Sequence, residues 1–100
     1  MSIVNEYTLG NSIDGEVFII APLEIRKTNC NQIVSHLEAR LFNMSPADYL
    51  KWLEEKKEVR LINYRSFIGY TFKSKEKAKI HLKELNKKYK LFKQNNKIIV

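Results

Sequence analysis

The segment from Arg65 to Phe72 alternates like a strand and contains one basic and three aromatic side chains. On an extended strand, Arg65 and Phe67 fall on one side, and Ile68, Tyr70 and Phe72 fall on the other. An aromatic ring beside a cation on a solvent-facing strand is typical of surfaces that stack nucleic-acid bases. The segment therefore predicts that Phe67 stacks on a base while Arg65 contacts the nucleic-acid backbone.

A regular row of lysines follows this segment. The five lysines recur every three or four residues, and they are Lys75, Lys79, Lys83, Lys87 and Lys90. This spacing places them on one face of a helix, where each pair of like charges costs about a few tenths of a kcal/mol. A phosphate backbone would relieve the repulsion and release its own counterions. The row predicts a phosphate-binding face, with a merely solvated helix face as the alternative.

The net charge of +7 is concentrated in the second half of the chain. Residues 1–50 contain three basic and six acidic side chains, whereas residues 51–100 contain fifteen basic and five acidic ones. Clustered positive charge indicates a polyanionic partner, most commonly nucleic acid, and a solubilising lysine coat is the alternative. The abundance of Lys, Ile and Asn also suggests an A/T-rich genome, such as that of a phage or mobile element.

These side chains belong to one predicted α+β domain of residues 16–100, preceded by a leader or an edge hairpin over residues 1–15. The pattern predicts strands at 16–21, 59–64, 67–72 and 97–100, with residues 23–26 extending the first. It also predicts three helices, namely one from residue 28 or 29 to 42, one capped by Ser45 with Pro46 in its first turn, and one capped by Ser74 that ends between residues 87 and 92. Residues 95–96 then form a turn.

The predicted order contains strand, helix, strand, strand, helix and strand, which is the ferredoxin-like split βαβ arrangement with an extra helix. Within it, the segment from Arg65 resembles the longer signature of the RNA-recognition-motif family at Arg65, Phe67 and Phe72. Residues 17–22 resemble the shorter signature, with Phe18 as the outward ring. The resemblance implies that Phe18 and Phe67 lie side by side on an exposed sheet face and stack one or two bases.

The chain departs from that family at two positions of the longer signature. Gly69 stands where the second stacking aromatic is expected, and Ser66 replaces a glycine. Burial of Phe18 and Phe67 against the helices is the alternative placement. A winged helix-turn-helix with a C-terminal helix is the alternative fold, in which the wing would contact nucleic acid through Arg60 and Arg65.

The sequence favours non-catalytic binding of nucleic acid, single strands above all, through Phe18, Arg60, Arg65, Phe67 and the lysine row. The alternative is an accessory or inhibitory subunit that docks on a larger nucleic-acid-processing enzyme through Tyr49 and Trp52, although such a stripe is also typical of a core. A third possibility is a small toxin-like ribonuclease, which would use Arg60, Arg65, His81 and Tyr89.

The sequence lacks the features expected of disulfide, metal and cofactor sites, of membrane spans and of secretion signals. Cys30 is the single cysteine, so the chain forms no internal disulfide and no cysteine-based zinc site. No motif predicts a metal, a cofactor or a small-molecule substrate. The longest apolar run, Val17–Leu23, is too short to span a bilayer, and the N-terminus lacks a basic signal region. These features predict a cytoplasmic protein without a membrane partner.

Overall fold

A computed structural model describes residues 6–26, 31–63 and 68–96 of the chain. In these residues the strands and helices follow one another in the order β1 Thr8–Asn11, β2 Val17–Ile20, α1 Leu23–Arg26, α2 Asn31–Leu41, α3 Pro46–Lys56, β3 Val59–Asn63, β4 Ile68–Phe72 and α4 Lys75–Asn96. The predicted α+β class is confirmed.

The four strands form one antiparallel sheet in the order β1-β2-β4-β3. β1 pairs with β2 and β3 pairs with β4, and the two hairpins meet at the register pair Val17–Phe72. In a split βαβ fold the edge beside the strand at residues 17–20 is taken by the C-terminal strand, whereas here β1 occupies that edge. The specific ferredoxin-like topology is therefore not confirmed. Its predicted last strand, residues 97–100, lies outside the described residues.

The core lies between one face of the sheet and the helices. Val17, Val59 and Phe72 alternate with outward residues along their strands and pack against Leu53 of α3 and Ala78 of α4. This is the period-two pattern of a strand with one covered face. The opposite face, called the outer face below, includes Gly10, Phe18, Ile20, Arg60 and Thr71.

The structure confirms the predicted caps at the starts of α3 and α4. The Ser45 Oγ accepts a hydrogen bond from the Asp48 backbone N–H at 3.2 Å, and Pro46 follows in the first turn. The Ser74 Oγ accepts from the Lys77 backbone N–H at 3.4 Å. Each side chain satisfies one of the unpaired N–H groups of a helix start.

Two predicted boundaries are wrong. Residues 23–26 form the short helix α1 and do not extend β2, because the preceding Pro22 cannot donate to a strand and Ile25 enters the core with Tyr89. α4 continues to Asn96, beyond the expected end between residues 87 and 92 and through the expected turn at 95–96. Phe92 packs on the same cluster as Tyr89 and Lys93 pairs with Glu24, so contacts with the rest of the protein continue at the expected end of the helix.

The first strand is held at its start by a side chain from α4. The Tyr7 backbone N–H donates to the Asn86 Oδ1 at 2.6 Å, and the Asn86 Nδ2 donates to the Tyr7 carbonyl at 2.9 Å. The amide thus satisfies both backbone groups of Tyr7, as a neighbouring strand would. α4 therefore covers the sheet and also anchors its β1 edge.

Gly10 lies opposite Phe18 in the β1–β2 register. An added Cβ at this position would lie 2.8 Å from Phe18 Cζ and 2.9 Å from Ile20 Cδ1, so the ring covers the glycine. We expect G10A to lower the free energy of unfolding by about 1–3 kcal/mol, because the ring must move. Urea denaturation measures this cost. The cost should shrink in an F18L background, and an equal cost in both backgrounds would show that the ring is not the obstacle.

Candidate nucleic-acid interface

The buried side of α4 determines which of its residues face solvent. Ala78, His81, Leu85 and Tyr89 recur every three or four residues and are all buried. The five residues of the lysine row lie on other parts of the helix circumference, and all five are exposed. From Lys75 to Lys90, the row covers about 22 Å of helix, given a rise of about 1.5 Å per residue. The sequence spacing and the structure agree on this face.

The carboxylates around α4 pair with basic residues outside the row. Three ion pairs lie beside the helix, namely Lys57–Glu84 at 3.1 Å, Lys77–Glu58 at 3.4 Å and Lys93–Glu24 at 2.9 Å. None of the five lysines of the row forms an ion pair with a carboxylate that the structure describes. The row is therefore a strip of positive charge that only Glu76, in the first turn of α4, offsets in part.

Arg60, a predicted contact to nucleic acid, lies on the outer face and already has an anionic partner. Its Nη2 donates to Glu16 Oε1 at 2.6 Å, and its Nε lies 3.2 Å from both Glu16 oxygens. The Thr71 hydroxyl donates to the same carboxylate at 2.6 Å. The hydrogen bonds from Arg60 and then Thr71 lower the pKa of Glu16. These contacts link β3, β4 and the start of β2, and they leave Arg60 less available to a phosphate than the lysine row.

Phe18 lies half-buried on the outer face, where its ring covers Gly10. Its predicted neighbours Arg65 and Phe67 lie outside the described residues, so the pairing of the two rings stays a prediction. The lysine row belongs to the helix layer on the other side of the sheet. A short oligonucleotide therefore cannot contact both Phe18 and the row.

The predicted docking pair is divided between the core and its margin. Tyr49 is only 2% exposed, so it belongs to the core and offers no docking surface. Trp52 is half-buried and packs against Phe42 at 5.3 Å between ring centroids. The Lys57 Nζ lies 5.3 Å from the centre of the Trp52 ring. Trp52 alone keeps a partly exposed aromatic surface.

A polar cluster that the sequence did not predict lies inside the core. The Tyr49 hydroxyl is 3.0 Å from Glu38 Oε1 and 2.9 Å from His81 Nε2, and the Tyr70 hydroxyl donates to the same Glu38 oxygen at 2.5 Å. Glu38 is 5% exposed and His81 is fully buried. Because Tyr49 has one hydroxyl proton, donation to Glu38 requires His81 Nε2 to carry a hydrogen. That tautomer leaves His81 Nδ1 as a bare acceptor, and this atom is buried without a partner.

Burial changes the acid–base behaviour of this cluster in two directions. It raises the pKa of Glu38 to about 7, although the hydrogen bonds from Tyr70 and Tyr49 favour the carboxylate. It lowers the pKa of His81 to about 4, and the nearby charge of Lys57 acts in the same direction. Both shifts favour the neutral form, as expected for groups in a low-dielectric core. Between these two pKa values, Glu38 and His81 are both uncharged.

The helical pattern contains a signal for Glu38 that the sequence analysis missed. Glu38 follows Val34 by four positions and precedes Leu41 by three, so it shares their helix face. A carboxylate at a stripe position predicts either a break in the stripe or a buried partner. The partners, Tyr49 and Tyr70, come from α3 and β4, and only the tertiary structure brings them together.

The residues named for a ribonuclease do not converge in the described part of the chain. His81 and Tyr89 are buried on α4, and the Tyr89 hydroxyl donates to Glu24. Arg60 lies on the outer face with Glu16. Arg65 lies outside the described residues. The described residues thus form no shared cleft from this set.

No family model matches the chain, and no curated protein or solved structure is detectably similar to it. Among the described residues, no helix combines the length and the apolar character needed to cross a membrane. In the same residues, no three His, Cys, Asp or Glu side chains gather into a potential metal site.

Proposed function

We propose that this protein binds nucleic acid without catalysis and that it holds the phosphate backbone on the lysine row of α4. The supporting observation is the contrast between these five exposed lysines and the paired cations around them. A row of like charges destabilises its own helix. Phosphates bound along the row would remove that repulsion, and the counterions released from the nucleic acid would favour association.

Single strands are the preferred target in this proposal. The resemblance to the RNA-recognition-motif signatures, and the outward placement of Phe18, support stacking of a base on the outer face. A strand that contacts both the row and Phe18 must pass around an edge of a domain that measures 34 × 32 × 25 Å. Duplex DNA is stiff over about 150 base pairs and cannot follow such a path, whereas a single strand can.

Binding of labelled single-stranded DNA, single-stranded RNA and duplex DNA over a salt series tests the proposal. If five lysines contact phosphates of a single strand, log K should fall with log salt at a slope of about −3.5. That slope lowers the affinity about a hundredfold between ~50 and ~200 mM salt. Absence of binding to every oligonucleotide at ~50 mM salt, or a slope near zero, would reject nucleic acid as the partner of the row.

A further inference from the structure

A groove of about 360 Å³ lies beside the C-terminal half of α4, next to the residue that precedes Tyr7. Its walls include Glu6, Asn86, Tyr89 and Gln94, and the last two lysines of the row, Lys87 and Lys90, also line it. The volume is at the lower end of the range of about 300–1,000 Å³ that is typical of small-ligand pockets. The strip of positive charge therefore ends in a concave site.

Several residues that line this groove are held in place by contacts within the protein. Asn86 is bonded to both backbone groups of Tyr7, at 2.6 and 2.9 Å. Lys93, a further lining residue, pairs with Glu24 at 2.9 Å, and its Nζ lies 5.0 Å from the centre of the Tyr89 ring. Lys87 and Lys90 form no ion pair with a described carboxylate, so their charges remain available for a ligand.

We propose that this groove receives one nucleotide of a bound single strand. Lys87 and Lys90 contact its phosphate, and the base lies against the aliphatic parts of the lysine side chains. Lys87 and Lys90 belong both to the row and to the groove. A strand bound along the row therefore reaches the groove while its phosphates remain on these lysines. The inference rests on the proposed function, and it adds a physical basis for single-strand selectivity, since a paired base inside a duplex cannot enter.

Glu6 adds a chemical preference to the site. An ionised carboxylate accepts hydrogen bonds and donates none, as when glutamate pairs with the amino group of cytosine. Thymine and uracil have no exocyclic amino group, and their carbonyl oxygens would face the carboxylate. The groove should therefore prefer a base with an amino group, and oligo(dC) should bind more tightly than oligo(dT).

The test fills the groove with a bulky side chain and compares single strands with duplex DNA at ~50 mM salt. Q94W should weaken oligo(dC) binding about 5- to 150-fold, which is the loss of one base contact, and should leave duplex binding unchanged. I80W is the matched control, because Ile80 is an exposed uncharged residue of α4 that does not line the groove. I80W should not reduce binding of either nucleic acid. Urea denaturation of each variant verifies its fold.

The outcomes separate the groove from the proposed function. If the unaltered protein binds oligonucleotides and Q94W binds oligo(dC) equally well, the groove proposal fails alone. Equal losses for oligo(dC) and duplex DNA would also overturn it, because the groove would then be part of a general phosphate surface. If the unaltered protein binds neither, both proposals fail. E6Q should reduce the preference for oligo(dC) over oligo(dT), and an unaltered protein without that preference would refute the role of Glu6.

Discussion

As the pH rises from 4.5 to 7, the free energy of unfolding of E38Q should increase by about 3 kcal/mol relative to that of the unaltered protein. The pKa of Glu38 is about 7 in the folded protein and 4.5 without burial. Between these values the folded state binds a proton that the unfolded state has released, so the unaltered protein loses stability with rising pH. Glutamine has no such proton, and E38Q avoids that loss.

His81 should give the opposite dependence. Its pKa is about 4 in the folded protein and 6.5 without burial, so its contribution is complete above pH 6.5 and is lost as the pH falls through 4. H81Q should therefore gain about 3 kcal/mol relative to the unaltered chain as the pH falls from 6.5 to 4. In the unaltered protein, Glu38 lowers the stability and His81 raises it as the pH rises from 4.5 to 6.5, so the two effects largely cancel.

Urea denaturation from pH 4 to pH 8 measures these profiles. Trp52 serves as the reporter of unfolding, because it is the single tryptophan of the chain and its ring lies 6.0 Å from the His81 ring. The control is E76Q, which changes an exposed glutamate of the same protein. Its profile should run parallel to that of the unaltered chain. The double variant E38Q/H81Q should likewise show no steep dependence. Parallel profiles for E38Q and the unaltered protein would mean that buried Glu38 ionises like an ordinary carboxylate.

Reversing two charges in the middle of the lysine row should weaken single-strand binding about fiftyfold at ~50 mM salt. K79E/K83E leaves three of the five phosphate contacts, so the salt slope should change from about −3.5 to about −2.1. Repulsion between the new carboxylates and phosphates adds to the loss. Fluorescence anisotropy of a labelled oligonucleotide over a salt series gives both the affinity and the slope.

The matched control for this pair is K51E/K56E on α3. Both lysines are exposed, and the change in net charge is the same. If the row is the binding face, this control should bind several times more tightly than K79E/K83E and should keep the slope of the unaltered protein. Equal losses in the two double variants would show that net charge, and not the face of α4, determines binding.

The local elements of this fold were predictable where a short-range signal decides the backbone. Ser45 and Pro46 determine a helix start by themselves, through a side-chain acceptor and a preset φ. The lysine row was predictable because helical spacing alone places it on one face. Residues 23–26 were predicted wrongly, because their alternation fits a strand and only the burial of Ile25 in the core cluster that contains Tyr89 favours a helix.

The place of β1 in the sheet and the polar cluster could not be read from the chain. The resemblance implied that the strand at residue 17 lies beside the strand at residue 72, but the two positions are far apart in sequence and no local pattern encodes their pairing. Glu38 likewise becomes a buried acid only when Tyr49 and Tyr70 arrive from other elements. Local propensity does not encode such long-range contacts, and so the class of the fold was predictable while its topology was not.

The bond between Tyr7 and Asn86 has a consequence for biosynthesis. The two residues are 79 positions apart. At about 5–20 residues per second, a ribosome needs roughly 4–16 s to add the residues that lie between them. During that interval the nascent β1–β2 hairpin lacks α4, which helps α3 to cover Val17 and supplies the side chain that binds Tyr7. The sheet therefore cannot complete its folding until α4 has emerged. A chaperone that shields apolar nascent segments would bind the chain before that point.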